Sequence, residues 1–279
     1  MTTRTWGSMN TITTAMHRLD LASAKRLIGM VHLGRLPGSG LGAAPMDQTV
    51  ARAVEDARAI AEGGFHAVLV ENFHDAPFAR GSVPARTVAA MAVAVSAVRA
   101  AVDLPVGVNV LRNDVRSALA IAAATGASFV RCNVYVGAAV ADQGILQGAA
   151  RDAIEERGLL GADISIWADV HVKHAAPLGN RSIAEEARDA VERGHADAVI
   201  VSGSATGSET PLDDLLAVRK AVGSAPVLIG SGLTLENMAR LLPHAAGAIV
   251  GCALKPGGDP GAPVSSVLVR RLCEAARGL

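Results

Sequence analysis

Apolar and polar positions follow two rhythms along this chain. Short runs rich in Val, Ile and Leu are separated by longer Ala-rich stretches whose apolar residues recur at helical spacing. Leu27–His32 is the first run. Asp47 then opens a helix that reaches Glu62, where Gly63 and Gly64 stop it. Further strands are expected at His66–Asn72, Pro105–Val110, Ser128–Asn133, Ile164–Val172, Asp197–Ser202, Ala225–Gly230 and Gly247–Gly251. The helices between them are expected at Pro84–Val102, Asp114–Thr125, near Gly148–Leu160, and at Ile183–Arg193, Leu212–Val222 and Leu235–Leu242. Val264–Arg277 closes the chain. One connection, Tyr135–Asp163, is unusually long; its Gly and Ala content suits a lid or an ordinary excursion equally.

Strict alternation of strand and helix implies parallel pairing, and parallel strands covered on both faces read as near-continuous apolar runs. Eight such units close into a ring, so the fold class expected is α/β, a (β/α)8 TIM barrel in a single domain over residues 27–279. A doubly wound open sheet is the competing architecture and would use fewer units. Residues 1–26 are expected to form a loosely ordered N-terminal arm; Met9 and Met16 within it also suit an over-long start.

The fifth strand carries the chemistry. In Ile166–His174 the residues Ile166, Ala168, Val170 and Val172 share one parity, and Trp167, Asp169, His171 and Lys173 share the other. Side chains alternate faces along a strand, so Asp169, His171 and Lys173 are expected on one side near its carboxyl end. Gathering three ionisable groups on a buried face is costly without partners or a ligand. In a barrel the residues past each strand's last apolar position converge on one mouth. Here they include His32, Glu71, Asn72, Asn109, Arg112, Arg131 and Asn133, while the opposite strand ends carry ordinary turn residues. Glu71 and Asp169 are candidates for general acid and base, with His171 and Lys173 tuning or relaying protons. A salt bridge to Arg131 or Lys173 is the plainer role for either carboxylate.

Two Gly-rich turns sit where barrels hold phosphate, after the seventh and eighth strands: Gly230-Ser231-Gly232 and the segment from Gly251 to Lys255. Gly203 and Ser204, after the sixth, form a third candidate wall. The expected phosphate-binding residues are therefore Gly203, Ser204, Gly230, Ser231, Gly232, Gly251 and Lys255, with His32, Asn72, Asn109, Arg112, Arg131 and Asn133 on the rest of the substrate. No cofactor is predicted. A divalent metal on Glu71, Asp169 and His171 is the alternative, without a third ligand assured.

Composition narrows the partners. Lys plus Arg and Asp plus Glu number 26 each, so no basic excess points to nucleic acid or an anionic membrane. One tyrosine and two tryptophans leave little for base stacking. No apolar run approaches the ~20 residues that span a bilayer. The three cysteines, Cys132, Cys252 and Cys273, lack metal spacing, and a reduced, cytoplasmic setting is expected. A homo-oligomer is expected by analogy with other barrels.

The same segments resemble the BtpA/SgcQ family of ribulose-phosphate-binding barrels. The matching stretches are Ile28-Gly29-Met30-Val31-His32-Leu33 with Leu36-Pro37-Gly38, Val70-Glu71-Asn72-Phe73 with Asp75-Ala76-Pro77-Phe78, and Gly107-Val108-Asn109-Val110-Leu111-Arg112-Asn113-Asp114. Ala168–His174, Val201–Gly207 and Gly230–Gly232 complete the set, and Cys132 stands between Arg131 and Asn133 where the family favours Val or Ile. The resemblance implies a barrel that binds a phosphorylated small molecule. It does not imply a settled reaction: one branch is named for photosystem I assembly and another sits among carbohydrate-metabolism genes. Three functions are therefore expected in order. The first is an isomerase, lyase or glycosidic-bond-cleaving enzyme acting on a small phosphorylated sugar or nucleoside-like substrate. The second is a metal-assisted hydrolase, and the third a non-catalytic assembly or stability factor.

Overall fold

The structure, a computed structural model, describes residues 18–279. Its elements follow the expected alternation: β1 (Arg26–His32), α1 (Met46–Glu62), β2 (Ala67–Glu71), α2 (Ala85–Ala101), β3 (Val106–Asn109), α3 (Val115–Thr125) and β4 (Phe129–Cys132). The long connection holds a hairpin, β5 (Ala138–Ala141) and β6 (Gly144–Gln147), before α4 (Ala150–Leu160). Then come β7 (Ser165–Val170), a short β8 (Ala175–Pro177), α5 (Ile183–Glu192), β9 (Ala198–Val201), α6 (Leu212–Val222), β10 (Val227–Ile229), α7 (Met238–Leu241), β11 (Gly247–Val250) and α8 (Ser266–Ala276).

Eight parallel strands close the barrel in the order β1-β2-β3-β4-β7-β9-β10-β11. Local sequence explains the joints. Asp114 caps α3 by accepting the Ser117 N–H, and Gly126 ends it at φ 73°. Ser182 and Glu185 form a reciprocal capping box at the start of α5. The helix expected over Leu235–Leu242 shrinks to α7, because Asn237 turns its side-chain oxygen to the Thr234 N–H and delays the first helical turn.

The interior of the ring is packed, as eight-stranded barrels require. Ile28, Met30, Leu69, Phe129, Trp167, Ile200, Leu228 and Ile249 fill it. Phe129 and Trp167 stack at 3.8 Å in its middle. Gly107 has no side chain there because Phe129 already fills the space: a Cβ would lie 2.0 Å from its ring. A second apolar layer lies between the strands and the helices. The expected arm is described only from Arg18 onward. There Leu19 and Leu21 pack under the interior cluster, and Arg18 donates to Ser165 Oγ at 3.1 Å.

The excursion Tyr135–Asp163 is tied down. β5 pairs with β6 and also with β8, so a three-stranded antiparallel sheet stands beside the carboxyl ends of β4 and β7. Val134, Ala139, Leu146 and Val172 form its own small core. No helix among the described residues is long and apolar enough to cross a membrane.

Candidate active site at the barrel mouth

Strand register builds the polar ring. His32 pairs with Glu71 across β1 and β2, and Glu71 with Asn109 across β2 and β3. With the parity of the interior residues Met30, Leu69, Phe129 and Trp167, the next inward positions are His32, Glu71, Arg131 and Asp169. On β9, β10 and β11 the equivalent positions are Ser202, Gly230 and Gly251, and this small-residue side is where the mouth is hollow.

The centre of the ring is a buried ion pair. Arg131 donates from Nε and Nη2 to the two oxygens of Asp169, at 2.8 Å each, and both side chains are at most 2% exposed. Asn133 Nδ2 donates to Asp169 Oδ2 at 2.9 Å, and Ser202 Oγ lies 3.4 Å from Oδ1. Burial penalises the Arg131 charge, but Asp169 and Glu71 outweigh it and hold the guanidinium pKa above its usual value. Both Asp169 oxygens thus face donors, as the salt-bridge role foresaw. Glu71 is placed differently: Oε2 accepts from Asn109 Nδ2 at 2.5 Å, while no described donor reaches Oε1.

Two lobes open above this ring. One, of ≈ 810 Å³, lies on the β10–β11 side and is lined by Gly230, Ser231, Gly232, Gly251, Cys252 and Lys255. The other, of ≈ 640 Å³, lies toward β2 and β3, with Phe78, Leu111, Arg112 and Asn133 in its wall. Glu71, Phe73, Lys173 and Thr206 line both. In the first lobe no described oxygen accepts the backbone N–H of Gly232, Leu233, Cys252 or Ala253. Lys255, 2% exposed, donates to the Pro260 carbonyl at 2.6 Å and sits 3.1 Å from His32 Nδ1. Burial, then the Lys255 charge, push the His32 pKa well below its usual value; its Nδ1 lies within reach of both the Lys255 ammonium and, at 3.3 Å, the Pro260 carbonyl, and its ring stacks on Phe73 at 4.2 Å.

Several expected residues stand elsewhere. The parity of the fifth strand stops at Val170: His171 takes φ 46°, its N–H donates to Glu186 Oε1 at 3.0 Å, and its ring meets the Arg181 carbonyl at 3.2 Å. It therefore faces α5, away from both lobes. Asn72 is turned out of the ring, accepting the Leu111 N–H at 2.7 Å and donating to Asp75. Gly203 and Ser204 do not line the phosphate-side lobe. A Cβ on Gly203 would lie 2.4 Å from the Ser208 carbonyl, its N–H goes to Ser231 Oγ, and Ser204 is exposed. Ser231 Oγ in turn donates to the Ser208 carbonyl, so that hydroxyl is also engaged. The residues that do reach the lobe from this side are Thr206, Gly207 and Ser208. Arg271 of α8 lines it too; an Arg on a helix surface carries no sequence signal that would have marked it. The metal alternative does not fit: Asp169 is filled by Arg131, His171 points away, and no three His, Cys, Asp or Glu side chains gather among the described residues.

Fold and site together define a (β/α)8 barrel with a two-lobed, charged mouth at the carboxyl ends of its strands. The chain belongs to the BtpA family, whose model matches residues 23–278. The photosystem I biogenesis protein BtpA of Synechocystis is 42% identical over 254 residues, covering 91% of this chain and 88% of that protein. An uncharacterised protein of Thermococcus kodakarensis is 46% identical over 256 residues, covering 91% and 96%. Among solved structures, tryptophan synthase from M. tuberculosis superimposes with a TM-score of 0.58 at 19% identity over 91% of this chain and 93% of that one. Phosphoribosyl anthranilate isomerase from Thermus thermophilus gives 0.54 at 15%, over 91% and 98%. At these identities the likeness is one of fold.

Proposed function

We propose that this protein is a barrel enzyme acting on a small phosphorylated sugar or nucleoside-like substrate. The observation that carries this is the set of unpartnered N–H groups of Gly232, Leu233, Cys252 and Ala253 around one lobe, beside buried Lys255. Backbone N–H groups without acceptors, next to a cation in a cavity, suit an anion. Glu71 borders the same lobe with one carboxylate oxygen uncommitted and serves as the acid/base group. Asp169 holds Arg131 in place, and Arg131, which also lines the lobe, steadies negative charge developing on the substrate. Isomerisation, retro-aldol cleavage and glycosidic-bond cleavage all use such a set, and chemistry at the sugar carbon suits the single carboxylate best. Three free, separated thiols favour a cytoplasmic setting.

A second reading, an assembly factor, draws on the printed name of the Synechocystis relative and on Val140 and Ile145. These pair directly across β5 and β6 and are 45% and 51% exposed.

Calorimetry with a panel of pentose and hexose phosphates tests the enzymatic reading. Gly251→Asp is the informative variant: a Cβ there meets nothing closer than 3.5 Å, whereas one on Gly232 would lie 2.2 Å from the Ser208 carbonyl. Wild type is expected to bind at least one sugar phosphate, and Gly251→Asp to weaken it at least about tenfold by setting a carboxylate against the anion. Glu71→Gln is expected to bind as wild type does and to turn nothing over. No binding across the panel, or binding indifferent to Gly251→Asp, overturns the reading.

A further inference from the structure

The second lobe is lined by two cations, Arg112 and Lys173, the latter at the border with the first. Arg112 is 4% exposed, and its Nη2 donates to the Lys173 carbonyl at 2.6 Å. That bond ties the two residues together but leaves the rest of the guanidinium over the lobe. The Lys173 ammonium has no hydrogen bond or ion pair among the described residues, and neither does Arg112 pair with a carboxylate. Asp169 is already held by Arg131, Glu71 acts on both cations from nearby but its one hydrogen bond goes to the neutral Asn109, and Asp142 stands on the exposed rim. Burial works against the charge of both cations. Phe73, Phe78 and Leu111 wall the same lobe and keep its dielectric low, which makes an unmatched cation costly and a matching anion strongly held.

Asn133 adds a second requirement. Its Nδ2 is fixed by Asp169, so the group left over is the carbonyl Oδ1, which is buried and unpartnered. A flipped amide would set that oxygen against the carboxylate, so the free end is an acceptor that needs a donor.

We infer that the substrate carries a second anionic group, held by Arg112 and Lys173 in the lobe opposite the phosphate, with a hydroxyl beside it that donates to Asn133. This rests on the phosphate reading above and narrows it to phosphorylated polyhydroxy compounds with an anion at each end, such as a sugar-acid phosphate or a bisphosphate. Glu71, at the waist between the lobes, then faces the middle of the carbon chain.

Calorimetry with arabitol 5-phosphate, 5-phosphoarabinonate, arabitol 1,5-bisphosphate and unphosphorylated arabinonate separates the possibilities, using wild type, Lys173→Met, Lys173→Arg and Gly251→Asp. One of the two doubly anionic probes is expected to bind at least tenfold tighter than arabitol 5-phosphate, and which one it is tells carboxylate from phosphate. Lys173→Met should erase that preference, weakening the preferred doubly anionic probe at least about tenfold more than arabitol 5-phosphate, and Lys173→Arg should keep it. Equal affinity for singly and doubly anionic probes, or a Lys173→Met variant that weakens all of them alike, overturns the inference. Arabinonate bound through Lys173 with no effect of Gly251→Asp on any probe would sink the phosphate reading and leave the second anion site standing. No binding of any probe overturns both.

Discussion

Asp169→Asn changes one atom and removes the charge that keeps Arg131 in the barrel. Arg131 and Asp169 are both at most 2% exposed, and two bonds of 2.8 Å join them. Removing one member of a buried pair costs about 3–5 kcal/mol, because the other charge stays behind. Glu71 also acts on Arg131 and softens the loss, so the lower end, about 3 kcal/mol, is expected. For a chain of this size that is a fall in Tm of about 6–12 °C. Urea melts followed by circular dichroism read it directly, with the slope m unchanged if the native fold is kept. Pairing the change with Arg131→Met removes the stranded charge, and the new amide oxygen still accepts from Asn133. The double variant should therefore lie within about 1–2 kcal/mol of wild type while turnover is lost with Arg131. If Asp169→Asn melts with wild type yet has lost turnover, Asp169 is an acid/base group and not the anchor of Arg131.

Two further changes probe the ring. Gly107→Ala forces the Phe129–Trp167 stack apart, since the new methyl would sit 2.0 Å from the Phe129 ring, and it should cost about 1–3 kcal/mol. A Trp167 emission spectrum identical to wild type at undiminished stability would contradict the packing described. His32 gives a pH signature. Burial and then Lys255 hold its pKa well below 6.5, so the unfolded chain takes up a proton on acidification that the folded one refuses. Its contribution is absent above about pH 6.5 and destabilises progressively below it, by at most about 1.4 kcal/mol per pH unit. His32→Gln should flatten that part of the acid slope, and a slope unchanged by the substitution would show that His32 titrates normally.

Periodicity carried most of the architecture. Eight apolar runs marked the eight barrel strands within a residue or two, because parallel strands buried on both faces are near-continuous apolar stretches that stand out from the Ala-rich helices and turns around them. The β5–β6 hairpin was not legible: Ala138–Gln147 lacks the Val- and Ile-rich pattern, and its pairing depends on β8, distant in the chain. Strand parity placed Glu71, Arg131 and Asp169 correctly and failed at His171, where a positive φ, fixed by Glu186 and Arg181, breaks the alternation. Glycines misled in one respect. Gly203 looked like an anion contact, yet it stays outside the lobe and is small because the Ser208–Glu209 backbone runs against it, a long-range contact that a local motif does not reveal. The unpartnered N–H groups near Gly232 and Ala253 could be found only once the loops were in place.

A crystal structure of the protein soaked in inorganic phosphate tests the mouth most directly. The expected result is one phosphate in the β10–β11 lobe, hydrogen-bonded to the backbone N–H groups of Gly232, Leu233, Cys252 and Ala253 beside Lys255. Phosphate bound only on the barrel floor, in the cavity lined by Lys25, His66 and Arg277, with the mouth unchanged, would contradict it.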